Sequence, residues 1–431
     1  MSTVTSSLSS MSFATISSFS TGVKYEDPSG LATRHVSIED LIAQKAAKKT
    51  DSRFTLDELI SIMPEISRPA VFEAIEKIAS KEEKHTIQFK PLFGGHSNAK
   101  LFRFQASGKK YVLRLLETDK AIEKRSSEIA AHQHAESLQI APKLIYVDRP
   151  CSFMIMEYVE GRTFSRHGAD LNNNELATKV MQTFRKFHLS SQRPNISRET
   201  RPSSLHNQYM GNVKKGVAYP AVFDLIHKQF QEDAAKLRTQ LTVTHSDLNP
   251  GNIIIGKDGN IYIIDWAEAR LDNPFFDLGR FFSLAGASNE QIKNLLGAYL
   301  GREPQESEIE ETLLCKDFLA LNKTSRWLDL QGTKRSPQEL NALLTGQLKS
   351  ISDYVKEGKR PEEMSSDDQT LYALSWLKEY INNRYHISVE AFLKMTLHNQ
   401  FQNNKLPDMH SGLTPNEILQ PELVKMNAIK I

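Results

Sequence analysis

Cysteine is scarce in this chain: Cys151 and Cys315 are the only two in 431 residues. Two isolated cysteines build neither a disulfide framework nor a thiolate zinc cluster, and their scarcity suits a reducing compartment. Long apolar runs are missing as well. None approaches the roughly 20 residues that cross a bilayer, so no stable membrane insertion is expected. Charge of one sign is also lacking, since 54 Lys and Arg face 52 Asp and Glu for a net +2. That balance excludes a protein held to nucleic acid or a membrane surface mainly by its charge. The first 20 residues hold nine serines and no charged side chain. A secretory leader needs a basic start and an apolar centre, and neither is present. A cytoplasmic location is the expectation that remains.

Enough apolar sequence is there for a large globular core, at 39% hydrophobic residues. Residues 1–35 read as a disordered Ser/Thr-rich arm. Residues 36–82 read as a helical extension. Thr55 and Glu58 have capping-box spacing ahead of Leu56, Leu59, Ile60 and Met63, and Ser67 is placed to cap a second helix with Pro69 in its first turn. The pair resembles a helix-turn-helix, but Arg68 and Lys77 are set against Glu73 and Glu76, which argues against DNA reading. Residues 83–159 carry short apolar and aromatic runs at 85–90, 100–106, 110–116 and 152–158, with a helix over 120–138. From 160 to 405 helical periodicity prevails, and 406–431 form a polar tail. The expected class is α+β, with a small β-rich lobe before a larger, mainly helical one.

One segment carries chemistry. His245-Ser246-Asp247-Leu248-Asn249-Pro250-Gly251-Asn252 precedes two Ile-rich runs around Lys257-Asp258-Gly259-Asn260, a strong hairpin signal, and then Ile264-Asp265-Trp266. An H-x-D-x-x-x-x-N loop, a hairpin and a second Asp form the layout of phosphoryl transfer. Asp247 suits the group that orients or deprotonates an attacking hydroxyl. His245 suits an orienter of the loop. Asn252 and Asp265 offer the hard oxygen ligands that Mg²⁺ prefers, and a hairpin between them can bring both to one cation.

Three upstream segments complete the layout. Gly94 and Gly95, followed by Ser97 and Asn98, form a turn that lets backbone N–H groups approach phosphates, although the P-loop pattern is absent. Arg114, in Tyr111-Val112-Leu113-Arg114-Leu115-Leu116, is a strand cation for ATP phosphates in the place where protein kinases use Lys. Glu128 on the next helix is its expected carboxylate partner, with Glu123 as rival. The run Phe153 to Gly161 suits a hinge whose backbone near Glu157 to Val159 reads adenine.

These segments in this order resemble the aminoglycoside phosphotransferase and choline/ethanolamine kinase family over about residues 85 to 335. Asn273-Pro274-Phe275-Phe276-Asp277-Leu278 looks like that family's segment after the second metal ligand. The resemblance implies a bilobal protein kinase-like fold and ATP- and Mg²⁺-dependent phosphorylation of a hydroxyl. It also implies that Asp277 braces the catalytic loop. Arg114 and Gly-Gly-x-Ser-Asn look closer to the choline/ethanolamine branch, which implies a small amino-alcohol acceptor and no nucleic-acid partner. Trp327, Glu268 and Asp272 are candidates for a cationic substrate site. Alternatives are an aminoglycoside or thiamine phosphotransferase, a kinase acting on a protein or lipid, and a non-catalytic kinase-like binding module.

Overall fold

The computed structural model describes residues 53–61, 63, 65–92, 100–117, 120–165, 169–237, 241–331, 335–357 and 361–400. The Ser/Thr-rich arm, the first part of the helical extension, the Gly94-Gly95 turn and the polar tail lie outside them. The chain divides into two compact units. The first runs to Glu117 and takes in Ile145–Tyr158, and the second holds Thr118–Leu144 and everything from Val159.

The first unit is built on an antiparallel sheet. β1 (Lys90–Pro91), β2 (Lys100–Ala106), β3 (Lys109–Leu115), β4 (Leu144–Val147) and β5 (Phe153–Glu157) lie in the order β1-β2-β3-β5-β4. Tyr111-Val112-Leu113-Arg114-Leu115 makes the central strand, buried throughout, with Arg114 opposite Leu101 on one side and Met154 on the other. β-branched, aromatic and leucine side chains suit such a strand. The helices α1 (Leu56–Ser61) and α2 (Arg68–Ile78) bury Leu59, Val71 and Ile75 in one core with Phe102, Phe104, Leu113 and Ile155 of the sheet. The capping box forms as its spacing requires: the Thr55 N–H donates to Glu58 at 2.9 Å, and the Glu58 N–H to Thr55 Oγ1 at 3.2 Å.

Two local expectations fail here. Ser67 stands at the N-terminus of α2, but its hydroxyl makes no cap. It bonds instead to the Ser152 hydroxyl, which is itself held by the Asp148 carboxylate. The expected strand at 85–90 shrinks to Lys90–Pro91, because Glu83–His85 turns as a 3-10 helix. The backbone of Phe89 pairs with that of Phe54, through two 2.8 Å hydrogen bonds.

The second unit opens with α3 (Ile122–Ser137), whose Ala131 and Ala135 join its large core. A three-stranded sheet follows from β6 (Gly161–Thr163), β8 (Ile253–Gly256) and β9 (Ile261–Ile263), and a two-stranded one from β7 (Thr242–Thr244) and β10 (Arg270–Asp272). Three-residue strands leave too little periodicity to be read from sequence, and β7 and β10 were missed for that reason. The remaining mass is helical: α4 (Asn174–His188), α5 (Arg201–Lys214), α6 (Phe223–Ala234), α7 (Phe275–Ala285), α8 (Asn289–Leu300), α9 (Glu306–Gln331), α10 (Pro337–Thr345), α11 (Ile351–Glu357), α12 (Ser366–Tyr385) and α13 (Val389–Gln400).

The long helix α9 packs on both α7 and α12. Its approach to α7 is so close that a Cβ at Gly279 would press into the backbone of Cys315 and Lys316. Backbone cannot rotate away as a side chain can. Gly279→Ala is therefore expected to cost about 3 kcal/mol, the upper end for overpacking. A urea midpoint equal to that of the parent chain would refute this.

Candidate active site

β7 delivers the chain into the loop 245–252, and this loop is fastened from beneath by α7. Asp277, in the first turn of that helix, is wholly buried. Its carboxylate accepts the backbone N–H groups of His245 and Ser246, each at 2.7 Å, and Nε2 of His188 at 3.1 Å. His188 Nδ1 lies 3.0 Å from the Tyr299 hydroxyl. A carboxylate only accepts, so Nε2 carries the proton and Nδ1 accepts from Tyr299. Burial pushes the His188 pKa down, which keeps the ring neutral. Burial alone would raise the Asp277 pKa, but the His188 hydrogen bond and the backbone donors hold it below the ordinary carboxylate value.

Ser246 needs this bracing. Its φ of 65° lies in the left-handed region, which costs a non-glycine residue about 1–3 kcal/mol and persists only where neighbours over-determine it. Three contacts do so: the N–H to Asp277, the carbonyl taken by the Arg201 guanidinium, and the hydroxyl 2.9 Å from Thr244 Oγ1. The twist turns the next residue, Asp247, out of the core to intermediate exposure.

His245 is locked in turn. The Asp247 N–H donates to its Nδ1 at 3.1 Å, so its Nε2 carries the proton and donates to the Ile264 carbonyl at 2.9 Å. Both ring nitrogens are thus committed to holding the loop. The Asp247 carboxylate pairs through Oδ1 with the Arg280 guanidinium, and Asn252 Nδ2 lies 3.3 Å from Oδ2. Burial would raise the Asp247 pKa, but Arg280, then His245, Lys323 and Arg201, draw it below the ordinary value.

The hairpin β8–β9 brings the second pair of residues together. Ile253 pairs with Ile263, and the Ile264 N–H donates to the Asn252 carbonyl at 2.9 Å. Asn252 and Asp265 are thereby neighbours across the mouth of the hairpin. Asp265 also has a left-handed backbone, at φ 65°. Asn252 Nδ2 is held by the Asp247 carbonyl at 2.9 Å, so the nitrogen end of the amide is committed to the loop and the oxygen is the end that can accept. No group of three or more His, Cys, Asp or Glu able to hold a metal occurs among the described residues. Two oxygen donors suit magnesium, which keeps waters and substrate phosphates as its other ligands.

The other expected residues are spread over both units. Arg114 is buried in β3 of the first unit and Glu157 ends β5 there, while Glu128, also buried, and Val159 belong to the second unit. Gly94, Gly95, Ser97 and Asn98 lie outside the described residues. The three residues expected at a cationic substrate site stand in different surroundings. Trp327 is 2% exposed and packs edge-on to Tyr372. Asp272 is buried and accepts the N–H groups of Arg201 at 2.6 Å and Asn273 at 2.8 Å; burial pushes its pKa up to about 6. Glu268 is exposed and pairs with Arg270 at 3.2 Å.

Four residues at the site were not anticipated from the sequence. His188, Arg201, Arg280 and Lys323 come from α4, α5, α7 and α9, far from the motif in sequence. Only Arg280, one helical turn after Asp277, carried a positional signal.

No curated protein matches the chain. Among solved structures, a choline kinase from Cryptosporidium parvum Iowa II is 13% identical, with a TM-score of 0.50 over 76% of this chain and 99% of its own. A choline/ethanolamine kinase family protein from Mesorhizobium loti is 19% identical, with a TM-score of 0.49 over 71% of this chain and 99% of its own. A choline kinase from Streptococcus pneumoniae is 15% identical, with a TM-score of 0.48 over 73% and 99%. At such identities the likeness is one of fold, and that fold is kinase-like. The model of the phosphotransferase enzyme family matches residues 88–309, more than half of the sequence and the whole of the loop, hairpin and brace just described, so the chain belongs to that family.

Proposed function

We propose that the protein transfers the γ-phosphoryl group of ATP to a hydroxyl of a small molecule, with Mg²⁺. The observation that carries this is the single loop and hairpin that sets Asp247 beside Asn252 and Asp265, braced from below by Asp277. Asp247 orients the acceptor hydroxyl and takes its proton as the oxygen bonds to phosphorus; the β–γ bridging oxygen leaves with ADP. Its lowered basicity suits a loose transition state, in which positioning matters more than proton abstraction. Asn252 and Asp265 would hold the magnesium, which when bound neutralises charge on the phosphates. Arg114 and the turn at Gly94, Gly95, Ser97 and Asn98 would hold those phosphates. Backbone groups near Glu157 and Val159 would read adenine.

A cytoplasmic site of action is part of this proposal, and no helix among the described residues is long and apolar enough to cross a membrane. An amino-alcohol acceptor is what the choline/ethanolamine resemblance suggests. The buried Trp327 and the engaged Asp272 and Glu268 give it no support.

The test is magnesium-dependent nucleotide binding by the full chain. ATP is expected to bind more tightly with Mg²⁺ than without, and Asp265→Asn to remove that gain. ATP affinity indifferent to magnesium in the parent chain would overturn the reading.

A further inference from the structure

The charged side chains acting on Asp247 are mostly cationic. Arg280, on α7, is in contact with the carboxylate. Arg201, at the start of α5, holds the carbonyl of the preceding residue. Lys323, on α9, lies two turns beyond Lys316, the residue against which Gly279 packs, so the helix presents it on the Arg280 side. Three helices thus bring three cations to one carboxylate. Arg326, one turn on from Lys323, is exposed nearby.

The acids in the neighbourhood are occupied or outlying. Asp265 is the proposed metal ligand, Asp277 takes three buried donors, Glu268 pairs with Arg270, Asp272 accepts two backbone N–H groups, and Glu362 is an exposed residue within electrostatic reach of Lys323. Meanwhile cationic hydrogen-bonding capacity is left over. Arg280 Nε is buried without a partner among the described residues. Among the described residues Lys323 makes no hydrogen bond or ion pair, though it is half-buried. Burial and mutual repulsion push the Lys323 pKa down to about 8, with Arg280 the main repelling charge, and that of Arg201 to about 10, with Arg270 and Arg280 repelling.

Half-buried cations crowded on one carboxylate are costly unless an anion joins them. A quaternary or primary ammonium brought to Asp247 would add to the repulsion. We propose that the acceptor is an anionic alcohol, whose phosphate or carboxylate is gripped by Arg280 and Lys323 while its hydroxyl faces Asp247. This rests on the phosphotransferase reading and names the substrate class of the same site. It departs from the amino-alcohol that the resemblance suggests. A guanidinium fork and an ammonium together match the oxygens of such an anion.

The test is calorimetric, on the full chain saturated with ADP and magnesium so that the nucleotide's own phosphates are already placed. The probes are glycerol, glycerol 3-phosphate, glycerate and ethanolamine. One or both anions are expected to bind about tenfold or more tightly than glycerol, the worth of one charge-assisted hydrogen bond. The better of the two identifies phosphate or carboxylate as the recognised group. Lys323→Met should remove the preference, Lys323→Arg should restore it, and ADP affinity should be the same in all three proteins. Three results overturn the proposal: ethanolamine or glycerol binding as well as the anions, none of the four probes binding while ADP does, or Lys323→Met weakening ADP itself, which would give the cations to the nucleotide. Failure of ADP to bind the parent chain is a separate result; it removes the phosphotransferase reading, and the anionic acceptor with it.

Discussion

Asp247→Asn is expected to lower phosphoryl-transfer turnover by about a hundred- to ten-thousandfold, the range for removing a positioned acid–base group. The substitution keeps the shape of the side chain and its place in the loop. Nucleotide affinity should hardly change, because the Asn252 amide is still held by the backbone carbonyl of residue 247. A loss confined to kcat separates this role from a structural one. The pH profile makes a second check. Arg280, His245, Lys323 and Arg201 hold the Asp247 pKa below the ordinary carboxylate value against the opposing effect of burial. The ionised form is the active one, so activity should persist as pH falls through the usual carboxylate range and fail only below it. Arg280→Met removes the nearest cation and should move that acid limb upward. An unmoved limb, or an Asp247→Asn protein within a few fold of the parent, would take Asp247 out of the chemistry.

The motif residues and their relation were legible in the sequence because local structure places them. His245, Asp247 and Asn252 lie within eight residues, and a two-stranded hairpin needs only its own turn to bring Asp265 back to Asn252. The central strand around Arg114 was legible for the same reason, since five buried residues in a row leave few alternatives. What the sequence hid is whatever depends on helix packing. Lys323 reaches the Asp247 neighbourhood only because Gly279 lets α7 and α9 touch, and nothing local to residues 306–331 marks one lysine among the charged residues of that helix. His188 was hidden in the same way, its two partners lying 89 and 111 residues further along the chain. Trp327 is a different case. A tryptophan near a family-like segment suggested a substrate cage, but its position on the helix faces the core, where large aromatics contribute most by burial.

Asp277→Ala is expected to be the most destabilising single change at the site, at about 3–5 kcal/mol. The carboxylate satisfies three buried donors at once: two backbone N–H groups and the His188 ring. Alanine leaves all three without acceptors in a place water does not reach, and it also releases the left-handed backbone at Ser246. Asn is no better a substitute, because its amide nitrogen would face an N–H donor. The loss should depend on pH in a defined direction. The Asp277 pKa is lower in the folded chain than in the unfolded one, so its stabilisation is fully present above the ordinary carboxylate value and disappears as pH falls through the folded value. Urea midpoints of parent and variant should therefore lie far apart at neutral pH and converge in acid. A constant gap across that range would mean that Asp277 acts by shape alone. A variant as stable as the parent, yet inactive, would mean that the brace serves only the geometry of Asp247. The expected result lies between these: a fold weakened around the loop, and a catalytic carboxylate no longer held where the hydroxyl must meet it.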